Sequence, residues 1–121
     1  MIDENINKAK VLFAQGENEL TRAKGFAGAN DDGKARTSSR RAAGFFIEGL
    51  QLIERKAFYG KSFMSLLRAL TVDAEVPDNV KISARILVEK PGDLTGKKAI
   101  EHAETIMDYC KNKFEQTGES D

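Results

Sequence analysis

Four cations crowd one short stretch: Lys34, Arg36, Arg40 and Arg41 surround Thr37-Ser38-Ser39. Free backbone N–H groups at a helix start, together with hydroxyl side chains and cations, suit an anion, above all a phosphate. These four residues therefore form a candidate anion-binding cluster. The position is also unusual, because a helix N-terminus carries partial positive charge and disfavours basic side chains. Two plainer explanations stand beside the phosphate one. Asp31 and Asp32 come just before the cluster, so it can be an ordinary solvated face with balanced charge. A helix that starts as early as Asp31 or Asp32 also removes the conflict with the dipole.

The other chemically capable residues are isolated. His102 is the single histidine, and the positions three and four residues away hold Lys98, Ala99, Thr105 and Ile106. None of these completes a metal pair or orients an imidazole, so a surface or boundary histidine is expected. Cys110 shares a stripe with Ala103, Met107 and Phe114, where a thiol packs as a small hydrophobe and makes a poor nucleophile. Asp73, Glu75 and Asp78 hint at an ion loop, but the glycine turn and closing glutamate of an EF-hand are missing. Gly96-Lys97 looks like the end of a phosphate loop, yet no Ser or Thr follows the lysine. Glu48 and Glu54 are mid-helix carboxylates among apolar residues and are given structural roles. No catalytic set, metal site or cofactor site follows from these spacings.

The elements that must position these residues are helices. The chain has 121 residues, with 19 Lys+Arg against 19 Asp+Glu, and a single cysteine. That length predicts one domain. The charge balance argues against a general nucleic-acid binder, which needs clustered cations to neutralise phosphates. Met1–Asn5 is acidic and lacks the basic and apolar regions of a signal peptide. No run of apolar residues is long enough to span a bilayer. A cytoplasmic protein without a membrane segment is expected.

Apolar residues recur in steps of three and four along Ile2, Ile6, Ala9, Phe13, Gly16, Leu20 and Ala23, which predicts a first helix over about 3–24. Gly16 on that stripe allows a close crossing or weakens the helix. The glycine-rich stretch 25–33 is predicted to be a flexible loop. A second helix is predicted over about 39–58, with Ala42, Ala43, Phe46, Gly49, Leu50, Ile53 and Ala57 on its main stripe. Phe45, Ile47 and Leu52 fall off that stripe and widen the apolar arc, so they need either a central place for this helix in the bundle or a partner, and they are candidate partner-interface residues. A break at Tyr59-Gly60-Lys61 precedes a short helix capped by Ser62 and running to about Val72. A fourth helix begins around Pro77 and ends before Pro91-Gly92. The last is capped by Thr95 and reaches about Gln116, with a frayed tail over 117–121. The predicted fold is all-α, an up-and-down bundle of about five helices.

With five helices and a small-residue and arginine stretch entering the long second one, the chain resembles the HEPN domains of prokaryotes. The resemblance is carried by Ser38-Ser39-Arg40-Arg41-Ala42-Ala43-Gly44-Phe45-Phe46-Ile47-Glu48-Gly49-Leu50. The Gly60–Leu67 entry to the third helix and the final helix Ala99–Phe114 add to it. Ribonuclease-type HEPN proteins carry an arginine followed four to six residues later by a histidine. This chain has no such pair, since the nearest arginine before His102 is Arg85. The resemblance therefore implies a non-catalytic member, of the kind associated with nucleotidyltransferase partners or nucleotide-like ligands.

Two functional expectations follow. The first is a non-enzymatic interaction domain that binds a second copy of itself or a partner protein through helix faces. The second is a phosphate- or nucleotide-binding module built on Lys34, Arg36, Arg40 and Arg41. An enzyme assembled from residues distant in sequence stands third.

Overall fold

A computed structural model describes residues 2–54 and 62–118. Among them lie five helices and no strand: α1 (Ile2–Gly28), α2 (Asp32–Glu54), α3 (Phe63–Val72), α4 (Asp78–Glu89) and α5 (Gly96–Gly118). The all-α bundle expected from the periodicity is the fold observed.

The predicted loop over 25–33 shrinks to the three residues 29–31. Gly25 does not stop α1, because a glycine only weakens a helix and nothing after it blocks the next turn. Asn30 stops it instead. Its φ is 63°, in the left-handed region that asparagine tolerates better than most residues. Asp31 N–H then donates to Phe26 O at 2.8 Å and Asn30 N–H to Ala27 O at 3.0 Å, the paired bonds of a Schellman ending. Asp31 also caps the next helix, its Oδ1 accepting from Lys34 N–H at 3.1 Å. One asparagine and one aspartate thus reverse the chain, and α2 starts several residues earlier than its apolar stripe suggests. The expected second-helix residues Ala57 and Phe58, and the break at Tyr59-Gly60-Lys61, lie outside the described residues.

The other boundaries fall close to their sequence signals. Ser62 caps α3, its Oγ accepting from Ser65 N–H at 3.0 Å. Pro77 leads into α4, its carbonyl accepting from Lys81 N–H at 3.0 Å. Thr95 caps α5, with its Oγ1 accepting from Lys98 N–H at 3.1 Å. α5 remains helical to Gly118, so the start of the expected tail is still helix.

α2 is the central helix and packs on α1, α3 and α5, while α3 and α4 pair with each other and α4 leans on α5. This placement explains the wide apolar arc. Phe46, Leu50, Leu66, Leu67, Leu87, Ile106 and Cys110 are core residues. Two glycines let the helices approach closely. A Cβ at Gly16 would lie 2.8 Å from Phe46 Cζ, and one at Gly49 would lie 2.6 Å from Phe13 Cε1. The Phe13 ring sits 5.9 Å from that of Phe46 and 5.1 Å, edge-on, from that of Phe114. Of the two readings open for Gly16, the close crossing is the one observed.

The arc residues named as a partner interface are largely absorbed within the chain. Ile47 is 2% exposed and belongs to the core, which corrects its assignment to a surface. Phe45 is half-buried against Phe63, with ring centroids 5.1 Å apart, and Leu52 is half-buried. A helix with neighbours on three sides needs apolar residues beyond one stripe.

Candidate functional site

Asp32, Arg36 and Arg40 are spaced four residues apart on α2, so they stack on one helix face. All three reach backbone atoms at the corner between α4 and α5. Asp32 Oδ1 accepts from Gly96 N–H at 3.0 Å. Arg36 Nη1 donates to Leu94 O at 2.8 Å, and Arg40 Nε donates to Leu87 O at 2.9 Å. The signs match the helix ends they meet. The carboxylate sits at the positive start of α5, and a guanidinium sits at the negative end of α4, where the last carbonyls have no helical partner. Gly96 makes the approach possible, since a Cβ there would lie 2.6 Å from Ala35 Cβ.

The four cations of the candidate cluster therefore divide. Arg36 and Arg40 turn inward to the α4–α5 corner and are half-buried. Lys34 and Arg41 stay exposed. Lys34 Nζ is 4.0 Å from Asp31 and 5.6 Å from the centre of the Phe26 ring, and Arg41 lies 6.0 Å from the Phe63 ring. The hydroxyls divide as well. Ser38 and Ser39 are buried, and only Thr37 is exposed, its Oγ1 donating to Gly33 O at 3.1 Å. Because α2 begins at Asp32, the cations lie within the helix behind two aspartates, and the conflict with the dipole is relieved.

Arg36 and Arg40 have no carboxylate partner among the described residues. Burial, followed by the nearby charge of Arg36, holds the Arg40 guanidinium below its ordinary pKa. The carbonyls at the end of α4 are what offsets this charge. Each guanidinium carries five N–H donors, so one bond to a carbonyl does not exhaust them.

His102 meets a residue that sequence spacing did not signal. Its Nδ1 lies 3.0 Å from Ser83 Oγ, joining α5 to α4. Burial lowers the imidazole pKa, with Glu101 acting in the opposite direction and Lys98 adding to the lowering. A Ser–His contact is one component of a nucleophile, but Ser83 is buried, 4% exposed, where a substrate cannot reach it. Cys110 is fully buried as its stripe predicted, and burial, reinforced by Glu54, pushes its thiol well above the ordinary range. Among the described residues no three His, Cys, Asp or Glu side chains gather where a metal could be held, and no helix is long and apolar enough to cross a membrane.

No family model and no curated protein matches the chain. Among solved structures, the chain is similar to the crystal structure of TT1696 from Thermus thermophilus. The TM-score is 0.72 with 24% identical residues, over 88% of this chain and 98% of that one. At that identity the likeness shows the fold alone.

Proposed function

We propose that this chain is a non-enzymatic helical interaction domain that assembles through its helix faces with a second copy or with a partner protein in the cytoplasm. The observation that carries this reading is a contrast in how side chains are used. The polar residues best suited to ligand chemistry are engaged in joining helices, while large aliphatic side chains face outward on α3 and α4. Val72 is 81% exposed and Ile82 is 50% exposed. Exposed apolar area gains free energy when a partner covers it. The resemblance to non-catalytic HEPN domains adds a nucleotidyltransferase as a candidate partner class.

Light scattering across a concentration series tests the self-association arm, with Val72→Lys and Ile82→Glu as the interface variants. A mass that rises toward a dimer in the parent and stays monomeric in the variants supports it. A strict monomer at every concentration removes the homodimer.

The second reading is a phosphate- or nucleotide-binding module, favoured by the absence of a carboxylate partner for Arg36 and Arg40 among the described residues. Its test is thermal stabilisation by polyphosphate or nucleotides, since a ligand bound only to the folded chain raises its stability. Lys34→Ala and Arg41→Ala are the clean variants, because Arg36 and Arg40 also hold the α4–α5 corner. An unchanged melting temperature in the parent ends this reading.

A further inference from the structure

At the seam where α2, the end of α3 with the residues that follow it, and α5 meet, the chain forms a narrow, partly open cavity with an internal space of about 10 Å³. Its walls mix apolar and polar groups: Leu50 and Leu70 face it together with Gln51, Asp73, Tyr109 and Cys110. Gln51 Oε1 is buried and accepts no hydrogen bond from any protein group. An amide oxygen left in that state has lost its hydration without replacement, so a fold that retains it needs a donor from elsewhere.

The size and chemistry of the cavity identify the donor. An internal space of roughly 10–15 Å³ is the least that admits one water molecule. So small an internal space suits a single water. A cavity walled only by leucines stays dry, whereas one with several polar partners is wet. Here the polar residues that line the space also include Glu54, Asp73, Tyr109 and Cys110. Asp73 and Tyr109 already have partners in the fold, and neither must give one up, because a carboxylate has about four acceptor sites and a phenol both donates and accepts.

We infer that this cavity is a binding site for one internal water, which donates to Gln51 Oε1 and bridges α2 to the α3 end and α5. Its second proton goes to a wall carboxylate, Asp73 or Glu54, and its oxygen accepts from Tyr109 or Cys110. The water takes the place of a direct side-chain bond to Gln51 Oε1.

A crystal structure of the full chain at a resolution that shows ordered solvent is the first test. The expected result is a water about 2.8–3.0 Å from Gln51 Oε1. A dry cavity, or a Gln51 oxygen that has rotated onto a protein donor, overturns the inference. In solution, ¹⁷O relaxation dispersion counts long-lived internal waters. Gln51→Leu, with circular dichroism confirming that the variant folds, is expected to lower that count by one relative to the parent. An unchanged count in a folded variant also overturns it. Should Gln51→Leu fail to fold, Gln51→Met gives the same comparison, and the parent crystal decides without any variant.

Discussion

The two halves of α2 are held to the rest of the molecule by different physics. The first half carries Asp32, Arg36 and Arg40, which fasten the α4–α5 corner through directional bonds to three backbone atoms. The second half carries Phe46, Gly49 and Leu50, which hold α1 and α5 by close apolar contact. A hydrogen bond depends on the presence and sign of one group and contributes a modest net amount. A packed contact depends on volume and fails from either too little or too much. Removing charge should therefore loosen one end of the bundle, whereas changing volume should weaken the whole.

The largest effect is expected at Phe46. It is fully buried and touches the crossing at Gly16 as well as the Phe13 ring. Phe46→Ala should lower the unfolding free energy by about 3–5 kcal/mol, through lost burial plus the cavity left behind. Urea unfolding gives the value, and a loss under about 1 kcal/mol would mean the second half does not depend on close packing.

Arg40→Met comes next. It keeps much of the side-chain length and removes the donor to Leu87 O and the charge at the end of α4. A hydrogen bond from a charged group and a favourable position at a helix end together give an expected loss of about 1–2 kcal/mol. The loss should also be local. Hydrogen exchange should accelerate at amides near the α4–α5 corner and change little around Phe46. Uniform acceleration across the chain would erase the distinction between the two halves.

A pair of glycine substitutions sharpens the comparison, because the same chemical change should have opposite signs. Alanine is favoured over glycine in a helix by about 1 kcal/mol. At Gly25 an added Cβ meets nothing within 4 Å, so Gly25→Ala should stabilise the chain by up to that amount. At Gly49 the new Cβ would lie 2.6 Å from Phe13 Cε1 and 3.3 Å from the Ala9 carbonyl oxygen. Overpacking of this kind costs about 1–3 kcal/mol, which cancels or exceeds the helical gain, so Gly49→Ala should destabilise. Melting temperatures that shift the same way in both variants would contradict this account.

Local signals in the sequence read well, and pairings across the chain did not. Ser62 and Thr95 were visible as caps because the donor and acceptor are three residues apart. The helical period placed Phe13, Phe46 and Cys110 in the core because burial follows directly from the stripe. The early start of α2 was only one of several readings, since Asp31 lies beyond the first apolar stripe residue. The partners of Arg36 and Arg40 lie 58 and 47 residues away and are backbone carbonyls, which leave no mark in side-chain identity. The same is true of Ser83 and His102, which are 19 residues apart and fit no local spacing. For Ile47 the wide arc left a central helix and a partner interface both open, and the central place is the one it takes, because a stripe cannot show how many neighbours a helix has. The alternation of Asp32, Arg36 and Arg40 at intervals of four was the available clue. It marks one polar face whose charge changes sign along the helix, as two opposite helix ends require.

The smallest expected effect lies at the third seam, between α4 and α5, where His102 meets Ser83. The imidazole pKa is lowered in the folded chain, chiefly by burial, so the unfolded chain binds the proton more readily. Stability should then rise with pH wherever the unfolded state carries more protons. The contribution is fully present above the ordinary histidine pKa of about 6.5 and is lost as pH falls through the lower folded value. Most carboxylates titrate below this window, so the parent and a His102→Gln variant should show diverging unfolding midpoints between about pH 7 and 5, the parent falling faster. Ser83→Ala separates the two causes. If burial dominates, its pH slope should stay close to that of the parent, whereas a slope that disappears would assign the lowered pKa to the hydroxyl. Parallel curves for the parent and His102→Gln would show that this seam, unlike the Arg40 corner, is indifferent to charge.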